Sequence, residues 1–568
     1  MGGRHGWSCR SCYRGHLVRA VAELSLPLDR PAPRIVRIAR LAERVLASTV
    51  PWFVAFALFL ALVAYIRRQW LWNIGDDQNL LMPAINLARG YTPNIDFKSG
   101  YPGLTFYVQR LIMALFGDQP ISEHIYTALQ AALLGGVAAW VLRKWYPATL
   151  VWLMVVFLWS VGHATNPTPN PGFMIEPLVL LGMVVTVRVG GHGRLTDAAG
   201  AGALAGLAFL FKQYGTLIPV AFVLYTSFAC LASPSRPNRY WHRAAVVLMN
   251  VGIFAAFFWV YVVGSVLMVP HGDSTAAAQL PISAVTFLSP WVFKLVCLLV
   301  LAVRPRPLLP RGLAPAAFAR VNLAFGATFV AVAGVAFALM YGANSLTALR
   351  IVLFQAPEHI NGNIIALRPL QLWPQVFMAC LVVIGPLVLK EIRNQVLQMA
   401  MFLAIAAVVL YTTRTNTNLS LTLVPTIAFF LLAASYLFAR PEGEAWSWFF
   451  VFVSGSTMLA YLIPYPYYAF NLGILVTSGW AMMGGTFQSP WPKLTNTMGA
   501  LALVVILPLA LLDSRAAMNS MPAYHVGTHV VKSRAANMGI WVDEANRTSA
   551  SAAQRELYLY LVYLAHER

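Results

Sequence analysis

Long apolar runs separated by short polar segments dominate the hydropathy pattern of the chain. A helix needs roughly 20 apolar residues to cross a bilayer, and runs near that length recur from residue 50 to residue 513. We predict spans near residues 50–66, 124–142, 148–163, 173–189, 198–211, 214–232, 244–269, 284–303, 321–341, 370–390, 397–412, 418–438, 446–462, 466–484 and 497–513. Several runs are short or bounded by proline, so the pattern predicts an all-α polytopic membrane protein with about 11–15 transmembrane helices.

The connection between the first two spans, residues 67–123, is long and mixes carboxylates, aromatic residues and apolar periodicity of helix length. The pattern predicts a first helix that starts at an aspartate N-cap, Asp76 or Asp77, bends at Pro83 and stops at Gly90. A second helix is predicted from about residue 104 to residue 116, with an apolar stripe suited to the membrane interface. The stripe consists of Leu104, Val108, Leu111 and Leu115. We therefore expect residues 67–123 to form a folded cap on one membrane face.

Composition supports the membrane assignment and changes how the charge is interpreted. The chain is 59% hydrophobic and 11% charged, whereas soluble domains carry about 25% charged residues. The formal net charge of +20 would suggest nucleic acid in a soluble protein, but the basic residues lie in short loops and therefore report orientation. This bias predicts a cytoplasmic basic segment over residues 1–49, a membrane domain over 50–513 and an extracytoplasmic tail over 514–568. The cap then faces outward from the cell (inner) membrane.

Four short motifs carry chemistry-bearing residues. The pair Asp76-Asp77 is followed by Gly-Tyr-Thr-Pro-Asn-Ile-Asp-Phe at 90–97 and by Tyr-Pro-Gly-Leu at 101–104, and Phe-Lys-Gln-Tyr-Gly stands at 211–215. This order after a first span resembles the GT-C superfamily of polyprenyl-phosphate-sugar glycosyltransferases, nearest to its protein O-mannosyltransferase and aminoarabinose-transferase branch. The family commonly has Asp-Glu at the acidic pair and an aromatic residue at the position of Lys98. The resemblance implies a GT-C-like bundle.

The resemblance also implies a general base at Asp76 or Asp77, with Asp96 assisting acceptor placement. A carboxylate in reach of an acceptor hydroxyl commonly contributes about a hundred- to ten-thousand-fold. Adjacent helix positions point about 100° apart, so one aspartate would act while the other caps or orients. The reaction would be direct displacement with inversion, from a polyprenyl-phosphate sugar to a glycan, lipid or protein hydroxyl. Two plainer interpretations stay open, since Asp76 could be only a helix cap and Asp96 only a turn residue.

The departing phosphate needs fixed positive charge at the same face. The candidate substrate-binding residues are Lys98, Tyr101, Glu176, Lys212, Gln213, Arg350, Arg368 and Arg414. Lys212 stands out because it interrupts an apolar stretch, where an unpaired charge is costly, although it could also snorkel to headgroups. Taken singly, Arg350 and Arg368 fit the role of interface anchor better than that of phosphate ligand. Glu176 either lines the cavity or caps its span, and we favour the cap.

Metal binding is not predicted. Cys9 and Cys12 form a CxxC, but a structural zinc site needs four ligands and no second pair stands nearby. An acidic pair can hold a divalent ion, yet the sequence does not predict a metal at Asp76 and Asp77 and leaves the cofactor open.

Two other functional classes compete with the enzyme. A transporter or flippase for a lipid-linked sugar predicts charges at midplane depth and repeat-related broken helices, whereas the spans here are nearly free of central charge. A structural assembly subunit would not need three aspartates in one interfacial cap.

Overall fold

The computed structural model describes the first two-thirds of the chain most fully. The described residues are 44–45, 47–66, 74–97, 99, 101–117, 120–143, 146–162, 171–237, 239–258, 295–354, 394, 397, 400, 500–501, 503–505, 507–508 and 511–512. The predicted spans between residues 370 and 484, the basic segment before residue 44 and the tail over 514–568 lie outside this set. Among the described residues, Pro93 and Phe97 form an isolated β-bridge, and no strand forms.

Helices make up nearly all of this part, as the hydropathy pattern predicts. In chain order they are α1 (Thr49–Ile66), α2 (Ile74–Ala88), α3 (Leu104–Phe116), α4 (Pro120–Leu142), α5 (Ala148–Gly162), α6 (Pro171–His192), α7 (Leu195–Phe211), α8 (Leu217–Leu231), α9 (Tyr240–Phe258), α10 (Pro315–Tyr341) and α11 (Ser345–Phe354). Among the described helices, α1, α4, α6 and the α10–α11 stretch are long and apolar enough to cross a membrane, and α3, α7 and α8 are shorter apolar helices. The all-α polytopic membrane fold is therefore confirmed for this part.

Short turns place the helix ends at two opposite faces of the bundle. Residues 305–314 close one face, because Leu309 N–H donates to the Ala232 carbonyl and Leu313 N–H to the Ala229 carbonyl at the end of α8. The turns at 193–194 and 232–239 lie at this face, which we call the basic end. Its arginines include Arg188, Arg194, Arg236, Arg239, Arg304, Arg306 and Arg311. The opposite face, the cap end, carries residues 74–117, the starts of α4 and α6, the turn 212–216 and the end of α10.

Small residues let α7 and α10 run side by side in the same direction. Gly202 lies against the backbone of Phe325, and a Cβ added at Gly206 would lie 3.0 Å from Val332. Further along, the rings of Phe209 and Phe337 stack with centroids 5.7 Å apart. Close backbone approach through glycine is a common way for membrane helices to pack, since lipid supplies no hydrophobic drive between them. The parallel packing brings the ends of both helices to the cap end.

The first cap helix ends as predicted and begins earlier than predicted. Gly90 has φ of 88°, its N–H donates to the Leu87 carbonyl at 3.1 Å, and Tyr91 N–H donates to the Asn86 carbonyl at 3.0 Å. These two bonds are a Schellman stop, which glycine favours because it has no Cβ. α2 continues through Pro83 and already includes Ile74, so the predicted N-cap role of the acidic pair is wrong.

The second cap helix, α3, has the predicted bounds. It packs against α2 through Met113, which contacts a small cluster of α2 residues. Phe106 and Ile112 are buried in the main core of the bundle. The predicted apolar stripe divides along its length, since its first two residues pack partly against the core while Leu111 and Leu115 are exposed. The exposed part is the surface that would meet lipid.

Candidate functional site

The loop between α2 and α3 is organised around Asn94. This residue is 3% exposed and has φ of 59°, a left-handed conformation that asparagine tolerates better than most residues. Its side-chain Nδ2 donates to the Tyr101 carbonyl at 2.7 Å, and its Oδ1 accepts from Ser99 Oγ at 2.9 Å. Its backbone N–H donates to the Phe97 carbonyl at 2.8 Å. One buried residue, Asn94, therefore connects residues 97, 99 and 101 of the loop.

The last residue of α10, Tyr341, ties this loop to the bundle. Its hydroxyl donates to the Pro102 carbonyl at 2.6 Å and lies 3.4 Å from Asn94 Nδ2, which donates to it. Gly103 makes this approach possible, because a Cβ there would lie 2.6 Å from the Tyr341 oxygen and the residue has φ of 116°. The glycine of the Tyr-Pro-Gly-Leu motif is thus required for both space and backbone conformation. We call Asn94, Tyr341 and the Pro102 carbonyl the loop clamp.

The Phe-Lys-Gln-Tyr-Gly motif at 211–215 meets the Tyr-Pro-Gly-Leu motif at 101–104 through Lys212, which follows α7 as its C-cap. The Lys212 side chain is 8% exposed, and its Nζ lies 5.6 Å from the centroid of the Tyr101 ring, within the range of a cation–π interaction. Its charge also acts on the carboxylate of Glu176 in α6, which is 2% exposed. A buried cation therefore lies near an aromatic face, and its charge acts on a buried carboxyl group.

Glu176 lies well inside α6, which begins at Pro171. An N-cap residue must precede its helix, so the favoured capping interpretation of Glu176 is wrong and the residue is part of the buried polar set. Gln213, also buried, opens the short 3₁₀ turn Gln213–Thr216. Its carbonyl accepts from Thr216 Oγ1 at 2.7 Å. Tyr101, Glu176, Lys212 and Gln213 thus all lie at the cap end.

Asp96 closes a turn of the cap loop. Its Oδ2 accepts from the Thr92 N–H at 2.6 Å, and its own N–H donates to the Thr92 carbonyl at 3.0 Å. The carboxylate is exposed. The turn interpretation describes its local geometry, and its exposed position leaves it accessible to an acceptor at the same face.

The structure places the remaining predicted site residues to different extents. Asp76 and Asp77 lie in the first turn of the described α2, and their side chains fall outside the described set, as do Lys98, Arg368 and Arg414. Arg350 lies on α11, with an exposed side chain, while Ala348 and Val352 of the same helix are buried against the end of α10. α11 follows Tyr341 through the single turn Gly342–Asn344, so Arg350 is at the cap end.

Sequence reasoning missed a layer of buried polar residues between α3 and α4. Gln109 Nε2 donates to Ser122 Oγ at 3.2 Å, and the hydroxyls of Thr105 and Tyr126 lie 3.0 Å apart. Glu123 and His124 in the first turn of α4, Thr127 and Gln130 are also buried. The dense polar sequence at the start of an otherwise apolar span was the available signal. In the described part of the chain, no group of three or more histidine, cysteine, aspartate or glutamate side chains is arranged to hold a metal ion.

Comparisons with known proteins give one structural likeness. No family model matches the chain, and no curated protein matches it. Among solved structures, the crystal structure of ArnT from Cupriavidus metallidurans bound to undecaprenyl phosphate matches with 15% sequence identity and a TM-score of 0.28, over 76% of this chain and 77% of that one.

Proposed function

We propose that the chain is a membrane glycosyltransferase that moves a sugar from a polyprenyl-phosphate donor to a hydroxyl acceptor at the cap end. The observation that carries the proposal is the contact between the motifs at 101–104 and 211–215. Lys212 Nζ lies 5.6 Å from the centroid of the Tyr101 ring. The motifs are far apart in sequence, and a purely structural origin of either would not require them to meet. Tyr101 stands shortly before α3, which packs against the helix that carries the acidic pair.

The distribution of charge supports a site at this end. The carboxylates of the cap, Asp76, Asp77 and Asp96, lie in or beside its two helices, whereas the arginines of the short turns lie at the other end. Positive charge in short loops marks the cytoplasmic face, so we infer that the cap is extracytoplasmic. Carboxylates at membrane depth or at a cavity rim are more often functional than incidental.

The reaction would proceed by one displacement. The acceptor oxygen attacks the anomeric carbon from the face opposite the phosphate, the new C–O bond forms, and the bond to the phosphate oxygen breaks with its electron pair leaving on the phosphate. The acceptor proton passes to the carboxylate of Asp76 or Asp77. Attack from the opposite face inverts the anomeric centre. Asp96, exposed on the neighbouring loop, would orient the acceptor.

The leaving phosphate would be held by exposed cations of the cap end. Arg350 on α11 is the described candidate, and Lys98, Arg368 and Arg414 remain candidates from the sequence. Lys212 is nearly buried and its charge already acts on Glu176. We therefore propose that Lys212 supports the site through Tyr101 and adds long-range positive potential, while an arginine makes the direct hydrogen bonds.

The test is donor cleavage by purified protein in detergent. Polyprenyl-phosphate mannose and polyprenyl-phosphate aminoarabinose, each labelled in the lipid, are incubated with glycan, lipid or peptide acceptors, and release of free polyprenyl phosphate is measured. The double variant Asp76→Asn/Asp77→Asn should lose about a hundredfold or more of the activity, because the general base is removed. The two single variants then show which carboxylate acts as base.

Asp197→Asn is the matched control, since it removes an aspartate at the basic end and should keep the activity. Full turnover in the double variant would refute the assignment of the base. Passage of intact donor across vesicles without cleavage would favour a flippase instead.

A further inference from the structure

The loop clamp joins two parts of the molecule that are distant in the chain. Asn94 and Tyr341 are 247 positions apart, yet they share a hydrogen bond, and both bond to the segment 101–102. The helix that follows the loop, α3, has a further contact with the same helix, since the Tyr107 hydroxyl donates to the Met340 carbonyl at 3.4 Å. The end of α10 therefore fixes where the cap loop lies.

The clamp is buried, which makes its geometry demanding. Both side chains are almost inaccessible to solvent, and a buried polar atom that loses its partner loses solvation as well as a hydrogen bond. Asn94 adopts a left-handed backbone conformation, and such conformations persist where the surroundings enforce them, often beside functional sites. Water cannot readily replace either partner, so the loop has one well-defined position.

The clamp also sets the spacing between two groups of candidate site residues. On one side, the loop carries Asp96 and continues to Lys98. On the other, Tyr341 leads directly into α11, which carries Arg350. The junction is itself held, because Ser345 Oγ donates to the Gly342 carbonyl at 2.6 Å. A shift at Tyr341 would therefore move the loop relative to α11.

We propose that Asn94 and Tyr341 are positioning residues of the transfer reaction: they hold the cap loop in register with α11, so that acceptor-placing and phosphate-binding groups face one substrate. This inference rests on the proposed function. It assigns to both residues a role exerted through the loop, without contact with the substrate. The lipid part of the donor would bind elsewhere on the bundle, so loosening the loop should lower kcat more than it raises the KM for the donor.

The test compares Tyr341→Phe with Tyr126→Phe. Tyr341→Phe removes the clamp hydroxyl and keeps the ring, which packs 5.1 Å from the Phe337 ring. Tyr126→Phe removes a buried hydroxyl that bonds to Thr105 between α3 and α4, outside the clamp. Asn94→Gly is the second clamp variant, because it keeps the positive φ accessible and removes only the side-chain amide.

Hydrogen exchange of backbone amides over residues 91–103 reports the loop position without any activity assay. We expect faster exchange there in Tyr341→Phe and Asn94→Gly, and no change in Tyr126→Phe. In the donor-cleavage assay, both clamp variants should lose about five- to tenfold in kcat or more, because Tyr341→Phe removes two side-chain hydrogen bonds and Asn94→Gly removes three. Their donor KM should change less than about twofold.

Unchanged exchange in both clamp variants would overturn the anchoring. Faster exchange with unchanged kcat, or an equal loss of kcat in Tyr126→Phe, would overturn the positioning role. A wild-type protein with no donor cleavage would overturn the proposed function, and the exchange comparison would still decide whether the two residues anchor the loop.

Discussion

The two charge pairs that join α6 to α7 differ in one respect, their access to solvent. At the basic end, Arg188 of α6 lies 3.3 Å from Asp197 of α7, and their side chains are 54% and 12% exposed. At the cap end, Glu176 of α6 interacts with Lys212 at the end of α7, and both are buried. Both pairs join the same two helices, and the two ends differ in how far the side chains are exposed to solvent.

That difference indicates where residue identity matters. An exposed pair exchanges one set of water contacts for another and contributes little, while two charges removed from water depend on each other and on nearby polar groups. The basic end needs only positive charge in its turns, which any arrangement of arginines supplies. The cap end needs a particular carboxylate, a particular cation and the Tyr101 ring in fixed positions, which is the requirement of a site rather than of topology.

The largest expected effect comes from leaving one buried charge without its partner. Glu176→Gln or Lys212→Met alone should destabilise the protein by about 1–5 kcal/mol, because each leaves a buried polar or charged group without the interaction it has in the native structure. The double variant Glu176→Gln/Lys212→Met should recover part of that loss, since neither group is then left behind. Thermal unfolding of the purified proteins in one detergent measures all three. A double variant as unstable as the sum of the single variants would show that the charges act independently.

Sequence reasoning succeeded where structure is decided locally. The bounds of α3 and the end of α2 follow from apolar periodicity and from Gly90, where the two bonds that end the helix reach only three and five residues back. It failed for Glu176 because α6 already begins at Pro171. The polar residues around position 170 suggested a later start, with Glu176 as the cap. The acidic pair was misplaced as a cap for the same reason, since α2 already includes Ile74.

The loop clamp and the Lys212 contact were not predictable in the same way. Asn94 bonds to a side chain 247 positions away. Lys212 lies near the ring of Tyr101, which belongs to the connection between α2 and α3. Periodicity and capping rules describe neighbours along the chain, so they contain no information about such partners. The sequence singled out Tyr101 and Lys212 separately, by motif, and the fold brings the two residues together.

A second, smaller effect tests whether the packing of α7 against α10 holds Lys212, the C-cap of α7, in position. Gly202→Ala places a methyl group against the Phe325 backbone, whereas Gly200→Ala meets no atom within 4 Å. Overpacking should destabilise Gly202→Ala by about 1–3 kcal/mol. Gly200→Ala, on the same helix, should be neutral or stabilising by up to about 1 kcal/mol, because alanine is the better helix former.

Unfolding midpoints compare the two glycine variants, and hydrogen exchange at residues 212–216 shows whether the turn after α7 moves. Equal midpoints would mean that α7 and α10 can separate without cost, and the parallel packing would then not hold Lys212 in place.

The smallest effect should come from the exposed pair. Arg188→Gln should change stability by less than about 1 kcal/mol, as exposed ion pairs usually do. Asp197→Asn should cost slightly more, since Asp197 also lies in the first turn of α7, where a negative charge contributes about 0.3–1 kcal/mol with the helix dipole. Raising the salt concentration should shrink both effects, because exposed charges are screened, and should change those of the Glu176 and Lys212 variants much less. If the exposed pair proved as costly to break as the buried one, burial would not be what distinguishes the two ends, and the case for a site at the cap end would lose its physical basis.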